Sequence, residues 1–277
     1  MVDSIEEKTT LHNGVEMPWL GLGTFELLGR TAEDAVRWAL QLGYRSIDTA
    51  AVYHNEVEVG KAVRQSQVPR DKLFITTKVW NTDQGYDSTL SAFEASLERL
   101  DMDYVDLYLV HWPVEHKFAE TWRALEDLYD AGHAHAIGVS NFLVHHLEDL
   151  LEEARVTPMV NQVEFHPRLQ QPDLQAYCAE HDIRLEAWRP IMRGGVLEIK
   201  KLVDLADRLG KSPIQVTLRW MIEKGVIAIP RSSRKEHIEQ NADIFDFELG
   251  ADEIALIDGL DRGMRTGEDP DNFDFGS

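Results

Sequence analysis

The chain has 277 residues, and its 49 acidic against 28 basic side chains give a formal net charge of −21. So large a negative excess opposes nucleic-acid phosphate and anionic membrane surfaces, and leaves room only for a local basic cluster that takes one anion. No run approaches the roughly 18 apolar residues of a membrane span, the N-terminus carries acids where a secretory signal has an apolar stretch, and the lone Cys178 excludes an internal disulfide. The expectation is a cytoplasmic, monomeric protein. Acids recur on predicted exposed helix faces, as at Glu148-Asp149, Glu152-Glu153 and Asp252-Glu253. That dispersal fits either adaptation to a high-salt cytosol or an ordinary acidic enzyme.

Strand-like and helix-like segments alternate along the chain, the pattern of parallel strands joined by crossover helices. The length suits one (β/α)8 barrel, a TIM barrel, of roughly 250 residues. Residues 8–18 read as a β-hairpin with Asn13-Gly14 at its turn. Strands are expected near 20–22, 45–48, 73–77, 105–110, 135–139, 159–163, 183–187 and 226–229, with helices between them at, for example, 32–42, 86–100 and 118–131. Ser212-Pro213 followed by Gln215 reads as a helix start, with the N-cap hydroxyl and the N1 proline where backbone N–H groups lack partners. Two extra helices fall near 198–209 and 251–260. With no linker-like shift in composition, a single barrel domain over 1–277 is expected.

Asp48, Tyr53, Lys78 and His111 each stand just beyond a predicted strand. Side chains at the C-terminal ends of parallel barrel strands converge on one face, where barrel enzymes place their chemistry. Adding hydride to a carbonyl makes an alkoxide that must be protonated as it forms. Tyrosine, with an ordinary pKa of about 10, is a poor acid at neutral pH unless a cation such as Lys78 favours the phenolate. Asp48 would hold that cation in place, and His111 could donate a hydrogen bond to the carbonyl oxygen.

Six ordered runs carry a resemblance: Leu20-Gly21-Leu22-Gly23-Thr24-Phe25, Ile47 through Glu56, Ile75-Thr76-Thr77-Lys78-Val79-Trp80, His111-Trp112-Pro113, Gly138-Val139-Ser140-Asn141-Phe142 and Asn161 through Pro167. The chain is similar to the aldo-keto reductases over about residues 8–260, and to prokaryotic, short-loop members of the 2,5-diketo-gluconate-reductase type. The resemblance implies NADPH-dependent reduction of aldehydes and ketones, with Tyr53 as proton donor, Lys78 and Asp48 as its tuning pair and His111 as the carbonyl-orienting residue. It implies cofactor contacts from Gly23 and Thr24, a carboxamide held by Ser140, Asn141 and Gln162, and Trp188 stacked on the nicotinamide where the family usually has Tyr. Around the substrate it places Phe25, Trp80 and Trp112.

At the adenosine-phosphate site the resemblance implies Arg231, Ser232, Arg234, His237 and Asn241. Here Arg231 replaces the usual Lys and His237 the usual Arg, which leaves NADH use open. Arg189 and Arg193 stand where the family has small residues; they grip the pyrophosphate or pair with surface carboxylates. Short loops after strands four and seven imply an open substrate pocket, and Phe273 and Phe275 of the tail are candidates to touch the mouth. Three other readings compete: a metal-dependent hydrolase using His54, His111 and His166, although zinc-ligand spacing is absent and no metal is expected; a Schiff-base lyase using Lys78; and a nucleotide-binding regulatory protein of the same fold.

Overall fold

A computed structural model describes residues 2–273. Strands β1 (Lys8–Thr10) and β2 (Glu16–Pro18) pair antiparallel as the expected hairpin, with Gly14 at φ 90° and the Asn13 side chain accepting from the Val15 N–H at 3.2 Å. Asn13 also donates to the His135 carbonyl at 3.0 Å. The hairpin therefore packs where the strand containing His135 begins, at the end of the barrel away from the strand C-termini.

Then come β3 (Gly21–Gly23), α1 (Gly29–Gln41), β4 (Ser46–Asp48), α2 (Glu56–Gln65), β5 (Phe74–Val79), α3 (Tyr86–Leu100), β6 (Val105–Val110), α4 (Phe118–Asp130) and β7 (Ala134–Ser140). The second half continues with α5 (Val144–Leu151), β8 (Val160–Glu164), α6 (Pro172–Glu180), β9 (Arg184–Trp188), α7 (Lys200–Leu209), α8 (Pro213–Glu223), β10 (Ile227–Ala228), α9 (Lys235–Ala242) and α10 (Ala251–Asp258). Strands β3 to β10 are parallel neighbours in chain order. The ring closes where Ala228 N–H donates to the Trp19 carbonyl at 3.1 Å and Gly23 N–H to the Pro230 carbonyl at 3.2 Å. Gly23 is required at that seam: a Cβ there would lie 2.8 Å from the Ile229 carbonyl oxygen. The result is the expected (β/α)8 barrel, with α7 and α10 as the two extra helices.

Local chemistry explains the start of α8 directly. Ser212 caps α8, accepting from the Gln215 N–H at 3.2 Å while Gln215 reaches back to the Ser212 N–H at 2.9 Å. β5 and β6 are buried on both faces, as parallel barrel strands must be. Most boundaries shift by a few residues from expectation, and two of the shifts have a clear cause. β5 runs past residue 77 because its neighbour keeps pairing with it, Lys78 with Leu109 and Val79 with Val110, so Lys78 lies within the strand. β10 stops at Ala228, short of 229, because Pro230 has no N–H to extend the ladder. No helix among the described residues is long and apolar enough to cross a membrane.

Candidate active site

Alternation along the strands turns Asp48, Lys78, Gln162 and Glu186 into the barrel interior, where all four are buried. The Lys78 ammonium donates to both Asp48 oxygens at 2.8 and 2.7 Å, to the Thr49 carbonyl at 2.8 Å and to the Tyr53 hydroxyl at 3.4 Å. Burial alone would strip its proton, but the Asp48 carboxylate and its neighbours outweigh that, and the pKa of Lys78 is raised. The cation is permanent, and four acceptors surround it behind the cavity wall. This arrangement leaves no free amine for a Schiff base.

Tyr53 ends the short 3₁₀ turn Ala51–Tyr53, which follows β4 and carries the half-buried ring over Lys78. Here one expectation is corrected. Burial, the largest influence, pushes Tyr53 up to about 12 against the pull of Lys78, so the net displacement is upward. The phenol is firmly protonated at neutral pH, and Lys78 offsets part of the cost of ionising it. His111 lies edge-on to Tyr53 with ring centroids 5.7 Å apart, and to Trp80 at 5.0 Å. Burial, then the Lys78 cation, hold its pKa well below the usual range. The imidazole is therefore neutral, with a single N–H to donate.

These groups floor a cavity of about 770 Å³ at the C-terminal mouth of the barrel. Asp48, Tyr53 and His111 lie on its wall, as do Phe25, Trp80 and Trp112. Gly23, Ser140, Asn141, Gln162 and Trp188 form the next stretch; Arg189, Arg193, Arg231, Ser232, Arg234 and His237 follow along its length. Thr24 and Asn241 do not line it: both are buried, and the Thr24 hydroxyl donates instead to the Asp48 carbonyl at 2.8 Å. Arg193 pairs with Glu26 at 3.1 Å across the mouth. Arg189 donates to the Thr266 carbonyl and lies 5.3 Å from the Trp188 ring centroid. Both arginines thus have protein partners while still facing the cavity. Their loop is unusual, with Arg189, Met192 and Arg193 at positive φ, and the segment Met192–Glu198 is a kinked 3₁₀ turn rather than the start of an α-helix.

The amide groups suit a carboxamide. Asn141 donates both N–H groups inward, to the His111 carbonyl at 2.9 Å and the Ser140 hydroxyl at 3.1 Å, and its oxygen accepts from Trp188 Nε1 at 2.8 Å. Gln162 donates to Asp48 at 2.8 Å and to Glu186 at 2.6 Å. The Gln162 oxygen, and the second lone pair of the Asn141 oxygen, are left as acceptors for the two N–H groups of a carboxamide. On the other flank, the exposed Arg231 and Arg234 lead into α9, whose Lys235 and Glu236 N–H groups have no partner among the described residues and suit an anion. The residues present fit a nicotinamide nucleotide.

Several wall residues carried no sequence-level expectation. Glu26 is one. Glu186, buried behind the wall against Gln162, is another functional candidate without such an expectation, though a carboxylate in the middle of a predicted buried strand is a signal that could have found it. Phe273 stacks on Trp112 with centroids 4.3 Å apart, whereas Phe275 lies outside the described residues. The tail is also held at Asp271 by His145 at 3.1 Å and His146 at 3.6 Å. These three side chains could surround a metal ion, but His146 Nδ1 accepts from the Leu143 N–H at 3.2 Å, which puts the ring proton on Nε2, the atom facing Asp271. His54, His111 and His166 form no such cluster among the described residues: His54 is exposed, and His166 is buried against Glu164 at 3.2 Å.

A protonated phenol backed by a permanent buried cation, at the mouth of a parallel barrel beside an arginine-edged cleft, defines a barrel oxidoreductase. The chain belongs to the aldo/keto reductase family, whose profile matches residues 19–262. It is 54% identical to the glyoxal reductase of Bacillus subtilis over 276 residues, covering 99% of this chain and all of that one. Its identity to the methylglyoxal reductase DkgA of Escherichia coli is 45% over 268 residues, 95% of this chain and 96% of that one. Among solved structures, an aldo-keto reductase from a Medee basin deep-sea metagenome library superposes with a TM-score of 0.93 at 45% identity, covering 96% of this chain and 99% of that one. A Bombyx mori aldo-keto reductase in complex with NADP does so at 0.91 and 34% identity, covering 98% and 97%.

Proposed function

We propose that the protein reduces aldehydes and ketones, short dicarbonyls of the glyoxal and methylglyoxal kind among them, to alcohols with NADPH as reductant. The observation that carries this reading is the Asp48–Lys78–Tyr53 chain of contacts at the cavity floor, with neutral His111 beside it. The names of the similar reductases and the NADP in the silkworm structure support it.

Bound NADPH supplies the hydride. His111 donates its one N–H to the carbonyl oxygen, orienting it and stabilising the charge that develops there. Tyr53 gives its proton to that oxygen, and Lys78 at 3.4 Å stabilises the phenolate left behind. Asp48 keeps the ammonium charged and fixed. Asn141 and Gln162 offer their acceptor oxygens to the carboxamide, and the Trp188 face lies beside them for stacking. Arg231, Ser232 and Arg234 take the 2′-phosphate, which makes NADPH the preferred cofactor. With Phe25, Trp80, Trp112 and Phe273 around it, the carbonyl end of the cavity is apolar enough to accept varied substrates. Cytoplasmic residence, a monomeric state, a single domain and operation at high salt belong to the same proposal, supported by the lone Cys178 and the −21 charge.

Parallel NADPH and NADH oxidation against glyoxal, methylglyoxal, aromatic aldehydes and diketones tests it. Faster NADPH oxidation with at least one class is expected. Tight NADPH binding with no oxidation by any carbonyl would favour a nucleotide-binding regulatory role instead.

A further inference from the structure

Glu186 lies in the middle of β9, fully buried and directly in register with Gln162 on β8. The catalytic scheme above does not use it. Yet it is not a packing residue: its Oε2 accepts from Gln162 Nε2 at 2.6 Å, and its Oε1 has no hydrogen-bond partner among the described residues. A carboxyl group left half-satisfied inside a barrel is costly, and such groups persist where they do something. Its one side-chain hydrogen bond among the described residues comes from an amide on the wall of the cavity.

That contact has a geometric consequence. The Gln162 amino group carries two hydrogens, and carboxyl oxygens accept at both, Asp48 Oδ2 at 2.8 Å and Glu186 Oε2 at 2.6 Å. An amide clamped at two points has its plane and its orientation fixed, and its carbonyl oxygen is turned away from both clamps. With Asp48 alone as anchor, the amide would pivot about a single hydrogen bond. We propose that Glu186 is a positioning residue of the reductase site, which locks Gln162 so that it presents an acceptor, and never a donor, to the carboxamide of the nicotinamide. The inference rests on the reductase reading and deepens it. A neutral Glu186 serves as well as a charged one, because Oε2 accepts in either form; burial, then the Asp48 charge, push its pKa up to about 8.

The test compares binding of NADPH with binding of its 3-acetylpyridine analogue, whose methyl group stands where the carboxamide has its NH2. Tryptophan fluorescence reports both titrations without turnover. The wild-type protein should prefer NADPH by about 25- to 100-fold, the effect of two satisfied hydrogen bonds, one to Asn141 and one to Gln162. Glu186→Ala should bring that preference down to about five- to tenfold, the share held by Asn141, while Glu186→Gln, which keeps an acceptor oxygen in place, should retain it in full. The idea is overturned if Glu186→Ala keeps the full preference, if it weakens both ligands equally, or if Glu186→Gln loses the preference as completely as Ala does. Should Glu186→Ala fail to fold, Glu186→Leu and Glu186→Gln carry the same comparison. A wild-type protein that binds neither ligand would instead defeat the reductase reading itself.

Discussion

Replacing Glu186 by Gln should change stability in a way that grows with pH. Two carboxyl groups, Asp48 and Glu186, share the barrel interior with one ammonium, Lys78, so Glu186 is held protonated: its pKa rises from 4.5 to about 8, chiefly through burial and then through the charge of Asp48. A carboxyl group whose folded pKa is raised binds more protons in the native state than in the unfolded chain. Stability is therefore unaffected below about pH 4.5, declines as pH rises through the interval, and levels off above about pH 8. At about 1.4 kcal/mol per tenfold in proton affinity, the gap between 4.5 and about 8 amounts to roughly 5 kcal/mol. A neutral Gln carries no such dependence. Urea unfolding of both proteins from pH 5 to 9 should show Glu186→Gln gaining on wild type by a few kcal/mol, most of it between pH 5 and 8. Other titrating groups are common to both proteins and cancel in the difference. A difference that stays flat across that range would mean Glu186 is ionised in the native state, and the charge-balance argument would be wrong.

Tyr53→Phe should lower turnover by about two or more orders of magnitude on a non-activated aldehyde while NADPH still binds; near wild-type turnover would remove Tyr53 from the acid role. Replacing Arg231 and Arg234 together by Ala should weaken NADPH far more than NADH in equilibrium titrations, since only NADPH carries the 2′-phosphate, and equal losses would place these arginines elsewhere on the nucleotide. Because the Glu26–Arg193 pair across the mouth is exposed, Glu26→Gln should speed NADPH release by no more than about fivefold in stopped flow; a far larger effect would make this pair a true latch. If the −21 charge is an adaptation to salt, melting temperature and activity should rise from dilute buffer towards molar KCl, where the Debye length falls from about 30 Å to about 3 Å, and a steady fall would leave an ordinary acidic reductase.

The quartet could be read from sequence because a barrel reduces a three-dimensional question to a one-dimensional one: residues at successive strand ends must meet. Asp48, Lys78 and Tyr53 do so through Lys78. What the sequence hid depends on depth and on long-range partners. The upward displacement of Tyr53 comes from burial, which no motif reports. Arg193 meets Glu26 across 167 residues of chain, a contact no local motif reports. Thr24 and Asn241 sit in recognisable motifs but behind the cavity wall, a distinction that turns on which way each side chain points. Glu186 had a legible position but not a legible partner, since the clamp on Gln162 depends on the β8–β9 register.

These buried charges also explain one another. An isolated carboxylate or ammonium inside a barrel would be driven to its neutral form. Lys78 stays charged because Asp48 accepts from it through both oxygens, and Asp48 is further satisfied by Gln162. Adding the Glu186 carboxyl to that set would leave a net negative charge in the interior unless it kept its proton. Protonation of Glu186 thus preserves the one-to-one balance on which the permanent charge of Lys78 rests, and that charge is what makes the Tyr53 phenolate accessible at all. A residue that touches neither substrate nor tyrosine is in this way bound to the chemistry at the cavity floor, and the effect of its ionisation at alkaline pH should be felt first as a weaker acid at Tyr53, for which a nearby negative charge raises the cost of giving up a proton.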